Sequence, residues 1–295
     1  MSVADSVPGV SGGTIAFVLG FYESFITALA DITSKDGKKR KQAFIYLIKL
    51  GVGWAVGMVL CMLILSKLFE SHVYILCSAF LGFTIAAIPF VIMAELDTIK
   101  GKYYNLIFTV LGVALVVGLS LLRGLGDGGN GSVSFIEGLS FLQYFYVFIV
   151  GAFAICAMVL PGISGSTILL ICGVYVPVVN GVSECLHFNL SFHLLAGLAV
   201  FALGILTGIL TSVKGIRFCL ERFRSQTVYF IVGLMLGSLF AIVKGPETLE
   251  VPKAALNIIK LGGENGLNLI AFIIGIALIV GLELTKKAFE SRGRK

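Results

Sequence analysis

One short segment occurs twice in this chain, and both copies interrupt otherwise apolar sequence. Residues 7–15 read VPGVSGGTI and residues 160–168 read LPGISGSTI, at an offset of 153. A Pro-Gly pair breaks a helix, and within a bilayer a broken helix is tolerated only where it is buried in protein or lines a cavity. Two such turns at membrane depth therefore predict a place where a transporter holds its substrate.

The composition indicates that the chain lies in a membrane. Hydrophobic residues make up 58% of the 295 positions and charged residues only 13%, whereas soluble domains carry about 25% charged residues. The mean hydropathy is +1.02. We expect an all-α polytopic membrane protein, because spans of about 20 residues each use up the length and leave no soluble catalytic domain. The six cysteines show no CxxC or Cys/His spacing, so we expect buried hydrophobes and no metal site.

Apolar runs predict six membrane spans in addition to the two Pro-Gly segments. The spans cover residues 43–66, 73–94, 104–122, 192–213, 228–243 and 266–284. Basic residues are retained on the cytoplasmic side, and they concentrate in residues 31–42, 100–102, 214–224 and 286–295. These segments, including the C-terminus, are therefore expected in the cytoplasm, with residues 124–140 and 183–191 outside. Residues 143–182 then form either a hairpin that enters and leaves on one side or two full spans.

Sequence identity between the two halves extends beyond the motif. Eight of fifteen residues agree between 8–22 and 161–175, and ten of seventeen agree between 105–121 and 268–284. Each motif is followed by three predicted spans, and because three is odd, the second copy is inserted upside down relative to the first. Each half is expected to be a Pro-Gly-broken hairpin, re-entrant or discontinuous, plus three transmembrane helices.

These features predict the organisation of the chain. We expect a first repeat at 1–122, a Gly-rich outer loop at 123–140, an inverted second repeat at 141–285 and a basic tail at 286–295. An apolar arm, 141–160, precedes the second motif but has no counterpart before the first. The sequence therefore predicts a further arm upstream of Met1.

Each motif has the residue types of an anion-binding helix start. The first amides of a helix lack intrahelical acceptors, and adjacent hydroxyls and glycines favour a phosphate or carboxylate that approaches closely. The candidate phosphate-binding residues are Ser11, Gly12, Gly13, Thr14, Ser164, Gly165, Ser166 and Thr167. The helix-breaking turns are Pro8, Gly9, Pro161 and Gly162. The alternative is that Pro-Gly only kinks a span and the hydroxyls cap it.

Four charged residues are candidates for ion coupling or for contact with a headgroup. Asp5 and Glu23 flank the first motif, whereas their counterparts beside the second are apolar, so coupling to a proton or another ion would be carried by one repeat. Lys49 lies about two turns into a span, where it would neutralise a phosphate. Arg123 lies close to the outer end of another span, where it would capture headgroups from the outer leaflet. For Lys49 the alternative is snorkelling to the cytoplasmic interface.

The motifs resemble those of a known family. VPGVSGGT followed by GFYE at 20–23, paired with LPGISGST followed by GVY at 173–175, is similar to the bacterial and archaeal polyprenyl-phosphate transporters over nearly the whole chain. The resemblance implies a multi-pass protein of the cytoplasmic membrane that returns undecaprenyl phosphate, the lipid carrier of cell-wall synthesis, from the outer to the inner leaflet. It implies no ligand residues. The expected partner is a lipid phosphate, with no cofactor and no nucleic acid, and the oligomeric state is left open.

Two other function classes compete with lipid transport. A small inorganic anion channel or exchanger would also oppose Gly- and Ser-rich helix starts, but it requires an aqueous pore where a lipid transporter requires a groove open to lipid. An intramembrane lipid phosphatase or transferase is disfavoured, because no histidine lies near either motif and no paired carboxylates offer a metal site. We therefore expect a transporter and not an enzyme.

Overall fold

Helices dominate the protein. The computed structural model describes residues 1–2, 11–122, 135, 138–162, 165–244, 254–262 and 265–293. Within them the helices are α1 (Gly12–Val18), α2 (Tyr22–Asp31), α3 (Gly37–Ala94), α4 (Leu96–Ile99), α5 (Leu106–Leu122), α6 (Phe141–Val159), α7 (Gly165–Ile171), α8 (Tyr175–Leu186), α9 (Phe192–Arg222), α10 (Arg224–Lys244) and α11 (Leu269–Gly293). A 3-10 turn, Tyr103–Asn105, precedes α5.

The helical lengths and compositions are those of a multi-pass membrane protein. Among the described residues, five segments are long and apolar enough to cross a bilayer: His72–Ala94, Tyr103–Leu121, Phe141–Val159, Phe192–Arg222 and Arg224–Lys244. Leu269–Leu284 is a shorter apolar helix. Large apolar side chains lie exposed along these helices, among them Ile107, Val110 and Ile270. A soluble surface avoids such continuous apolar faces, and lipid tails cover them.

Short polar side chains begin the long helices. Asp36 Oδ1 accepts the N–H of Lys38 at 2.9 Å at the start of α3, and Ser191 Oγ accepts the N–H of Leu194 at 3.2 Å at the start of α9. Ser140 forms a reciprocal capping box at the start of α6. Such caps satisfy amides that have no partner within the helix.

The long helix α3 is divided at His72. A straight helix of its 58 residues would be about 87 Å long, far more than a bilayer core of about 30 Å. His72 leaves the helical region with φ −135° and ψ 37°, so residues 37–71 and 73–94 are two helices joined without a loop. Phe223, 151 positions later, separates α9 from α10 with nearly the same angles, φ −127° and ψ 43°.

The bounds of α9 and α11 differ from those of the predicted spans. Helix α9 continues to Arg222, so residues 214–222, expected as a segment beyond the span, form a charged helical end in which Leu220 is buried. The last predicted span, 266–284, becomes helical only at Leu269, because Gly266–Leu267 form strand β2, which pairs in parallel with strand β1 (Asn257–Leu261). This small ladder is a departure from the all-α expectation.

Glycines allow the principal helix pairs to approach closely. Helix α5 packs on α10, α11 packs on the second part of α3, and α6 packs on α9. A side chain at any of four glycines would meet the backbone of the facing helix: Gly82 faces Phe272, Gly275 faces Ala79, Gly233 faces Thr109 and Gly112 faces Phe230. Close backbone approach through small residues is the usual basis of helix association in membranes.

The first two helices are held against the end of α6 and against α9. Ala16 on α1 and Tyr22 on α2 are buried with Val159 and Val213 in one apolar cluster. This cluster places the start of α1 beside the residues that follow α6, which is where the second Pro-Gly turn lies.

Candidate functional site

Both motifs begin new helices, as the sequence predicts. Helix α1 begins at Gly12 and α7 begins at Gly165, and each is 7 residues long. Ser11 precedes α1 in an extended conformation, and its Oγ accepts the N–H of Gly13 at 3.2 Å. The first motif therefore ends in a capped helix start, as expected for Ser after a helix break.

The two motifs meet and form hydrogen bonds with each other. Ser11 Oγ donates to the carbonyl oxygen of Leu160 at 3.2 Å, and the N–H of Gly162 donates to Thr14 Oγ1 at 2.9 Å. A Cβ on Gly13 would lie 3.1 Å from the carbonyl oxygen of Val159. We call this region, residues 11–14 with residues 159–162, the motif junction.

Two further contacts fix the junction in place. Tyr22 is buried and its hydroxyl donates to the carbonyl oxygen of Val159 at 3.1 Å. Gly162 has φ +89°, and a Cβ there would lie 2.6 Å from the carbonyl carbon of Leu234 on α10. Both the backbone angle and the close neighbour require glycine at this position.

The junction is a buried and satisfied hydrogen-bond network. Ser11 and Thr14 are almost inaccessible to solvent. Within the part of the chain that the structure describes, no buried polar side-chain atom lacks a hydrogen-bond partner. The hydroxyls of Ser11 and Thr14 therefore join the two motifs in this conformation, and a ligand has to displace these bonds to reach them.

The remaining motif residues are placed as follows. Gly165 packs on α6, where a Cβ would lie 2.8 Å from the carbonyl oxygen of Ala154. Pro161 is buried at the junction. Residues Pro8, Gly9 and Ser164 lie outside the described residues, and so do the side chains of Ser166 and Thr167.

An apolar cavity of about 260 Å³ adjoins the junction. Gly13 and Val159 form part of its wall, and apolar side chains from α2, α3 and α6 complete it, including Phe25, Trp54 and Met158. A polar junction beside an apolar cavity is the arrangement that an amphipathic ligand with an anionic end requires.

Neither of the two charged candidates that the structure describes, Lys49 and Glu23, belongs to the junction. Lys49 is exposed on α3, and Asp5 and Arg123 lie outside the described residues. Glu23 forms an ion pair with Arg224 Nη2 at 2.8 Å. Arg224 also binds Glu95 through two hydrogen bonds of 3.0 and 2.7 Å.

Arg224 and Glu95 were missed by the sequence reasoning. Glu95 directly follows the predicted span 73–94, and Arg224 lies in the basic segment 214–224, where Arg is read as a determinant of topology. The signal that would have found Glu95 is its position directly after an apolar run, because a carboxylate there needs a partner. The described residues include no group of His, Cys, Asp and Glu with the geometry of a metal site.

The comparison with known proteins assigns the family. The model of the undecaprenyl phosphate translocase-like family matches residues 1–259. The chain belongs to this family. Its relatives include a polyprenyl-phosphate transporter of Vibrio cholerae serotype O1, which is 30% identical over 310 residues that cover 96% of this chain and 93% of the relative. The polyprenyl-phosphate transporter of Staphylococcus aureus is 33% identical over 297 residues, covering 99% and 95%. No solved structure matches the chain.

Proposed function

We propose that this protein carries polyprenyl phosphate across the cytoplasmic membrane, with undecaprenyl phosphate as the substrate and the inner leaflet as the destination. Membership of the translocase-like family supports this, and both relatives named above are polyprenyl-phosphate transporters. The alignment with each relative spans nearly the whole chain, so the support applies to both motifs and to the helices between them.

The observation that carries the proposal is the contact between the motif junction and the apolar cavity. A lipid phosphate needs hydrogen-bond donors for its headgroup and an apolar path for its tail. Gly13 and Val159 belong to both the junction and the cavity wall, so headgroup and first prenyl units would bind side by side. The binding of a small inorganic anion does not require an apolar wall at this point.

The headgroup would bind where the motifs now bind each other. The phosphate oxygens would replace the carbonyl of Leu160 as the partner of the Ser11 hydroxyl, and they would take the N–H of Gly162 from Thr14. The hydroxyls and amides of Ser11, Gly12, Gly13 and Thr14 would supply one half of the site. Ser164, Gly165, Ser166 and Thr167 would supply the other.

We further propose that the two halves form an inverted repeat with re-entrant hairpins. Matching contacts support it: Gly82 faces Phe272 as Gly233 faces Thr109, with constant offsets of 151 and 163 residues between the two pairs. The equivalent breaks at His72 and Phe223 support it as well. Under this proposal the basic segments and the C-terminus face the cytoplasm, and the headgroup is passed between motifs that open toward opposite leaflets.

Proton or ion coupling through Asp5 and Glu23 is part of this proposal. Glu23→Gln and Asp5→Asn should then change the pH or ion dependence of transport while the variants still fold. A pH profile identical to that of the unmodified protein in both variants would contradict coupling through these carboxylates.

Transport of a labelled lipid tests the proposed function. The purified protein is reconstituted into vesicles with a fluorescent short-chain polyprenyl phosphate, and a membrane-impermeant quencher measures the fraction that changes leaflet. We expect movement of the phosphate and not of the matching polyprenol. Equal movement of both lipids would contradict headgroup recognition, and flux of chloride or inorganic phosphate without lipid movement would favour the anion channel.

A further inference from the structure

Arg224 contacts two carboxylates, Glu95 and Glu23, and it holds them with different numbers of hydrogen bonds. Arg224 Nη2 lies 2.7 Å from Glu95 Oε1 and 2.8 Å from Glu23 Oε1, so one nitrogen serves both carboxylates. Glu95 Oε2 accepts hydrogen bonds from both Arg224 Nε and Thr98 Oγ1, each at 3.0 Å. Glu95 is therefore held by several hydrogen bonds, whereas Glu23 has a single ion-pair contact among the residues that the structure describes.

The side chains of Glu95 and Glu23 also differ in how much of each is exposed to solvent. The Glu95 side chain is 12% exposed, but that of Glu23 is 54% exposed. An exposed ion pair is weak, since water and salt compete with it. Glu95 thus holds the guanidinium in position, and an anion arriving from solvent or from the lipid headgroups has to displace only Glu23.

A polar cavity of about 490 Å³ opens beside Arg224. Its lining carries three cationic side chains, Lys102, Arg222 and Arg224, and two carboxylates, Asp97 and Glu221. These residues come from α4 and the turn after it, from the end of α9 and from the start of α10. Glu95 and Glu23 add two further carboxylates at Arg224, so an anion gains a free cationic contact here only when it takes the place of a carboxylate. The cavity lies in the basic segments that we assign to the cytoplasm.

Glu23 links Arg224, which lines this cavity, to the motif junction. It follows Tyr22, whose hydroxyl binds the carbonyl oxygen of Val159 in the junction. Both residues belong to the first turn of α2, which follows Gly20 at φ +78°. A change at Glu23 is thus one residue away from a side chain that holds the two motifs together.

We infer that Arg224 receives the phosphate of the substrate at the cytoplasmic end of its path, and that the phosphate displaces Glu23 while Glu95 keeps the guanidinium in place. This inference rests on the proposed function. A phosphate dianion binds a guanidinium in a bidentate manner and competes well with a single carboxylate oxygen. Release of Glu23 loosens the first turn of α2 and with it the contact of Tyr22 at the junction.

Asp31 provides a matched control. It lies on the same helix as Glu23 and also pairs with an arginine, Arg217 on α9, at 3.2 Å. Asp31→Asn removes one negative charge and one ion-pair contact of α2, as Glu23→Gln does, but at the other end of the helix. The partner of Asp31, Arg217, does not line the cavity, although it also pairs with the lining residue Glu221.

Binding of farnesyl phosphate to the purified full chain in detergent tests the inference. Isothermal titration at one pH compares the unmodified protein with Glu23→Gln, Asp31→Asn and Arg224→Lys, each checked for an unchanged melting temperature. We expect Glu23→Gln to bind about three- to fivefold more tightly, because a competitor worth up to about 1 kcal/mol is gone. Asp31→Asn should stay within about twofold. Arg224→Lys should bind about tenfold more weakly, because it loses the bidentate contact.

The outcomes separate this inference from the proposed function. If the unmodified protein binds no farnesyl phosphate, the proposed function is overturned. If the unmodified protein binds farnesyl phosphate but Glu23→Gln binds it no more tightly than Asp31→Asn does, the Arg224 inference alone is overturned. This comparison tests the inference even if Arg224→Lys fails to fold. The same titrations with inorganic phosphate show which ligand the site recognises. If Glu23→Gln binds only farnesyl phosphate more tightly, the site recognises a lipid headgroup. If it binds both ligands more tightly, the site recognises phosphate with or without a lipid tail.

Discussion

The hydrogen bond between Thr14 and Gly162 predicts a specific loss of stability in Thr14→Val. Valine keeps the shape of threonine but cannot accept a hydrogen bond. The bond is 2.9 Å long and buried, so the substitution leaves the N–H of Gly162 without its acceptor. An unsatisfied buried donor costs about 1–3 kcal/mol, which is roughly a five- to 150-fold change in the unfolding equilibrium.

A matched threonine in the same bundle serves as the control. Thr211 Oγ1 donates to the carbonyl oxygen of Thr207 at 2.8 Å within α9, and this bond is exposed. Thr211→Val leaves that carbonyl with its own helical partner, so its free energy of unfolding should change by less than about 0.5 kcal/mol.

The single tryptophan allows the measurement. Trp54 is the one Trp of the chain, and it lines the apolar cavity beside Gly13, so its fluorescence should report separation of the motifs during detergent-induced unfolding. A Thr14→Val variant that is no less stable than Thr211→Val would refute the view that the two motifs stabilise each other through this bond.

Three further predictions concern topology, the cavity and helix packing. Cysteines introduced at Asp36 and Asn130 in a cysteine-free chain should be labelled from opposite sides of the membrane, and labelling from one side would contradict the inverted arrangement. Gly51→Leu should fill part of the apolar cavity and slow lipid transport severalfold. Gly215→Leu is the control and should not slow transport, since this glycine likewise has no neighbour within 4 Å of its Cβ position. Equal transport rates in the two variants would mean that the cavity holds no lipid. Gly233→Leu should lower the melting temperature strongly, since its side chain would enter the backbone of α5, and an unchanged melting temperature would contradict that packing.

The sequence predicted the membrane class and the helix starts because these depend on local signals. Hydropathy alone indicates spans, and a Pro-Gly break followed by Ser indicates a capped helix start at Gly12. The sequence could not show that the Thr14 hydroxyl binds Gly162, since that contact depends on how α1 is seated against α6 and α10. The first and second spans also join without a loop, because the chain turns at the single non-helical residue His72, and hydropathy does not predict a break of one residue.

The charged contacts were less predictable than the motif. Glu23 was identified as a candidate from its position beside the first motif, but its partner Arg224 follows 201 positions later in a basic segment. Several arginines of that segment were equally plausible partners by sequence. The geometry that selects Arg224 is the position of Glu95, which holds the guanidinium from the end of α3.

The exchange of helices between the two halves has a consequence for synthesis of the protein. Helix α5 belongs to the first half but packs on α10, and Thr109 Oγ1 donates to the carbonyl oxygen of Tyr229, 120 residues further along. The second part of α3 likewise packs on α11. The packing faces of the first half therefore stay uncovered in the bilayer until the ribosome and the insertion machinery have inserted the last helices. Lipids or a membrane chaperone have to shield those faces until then.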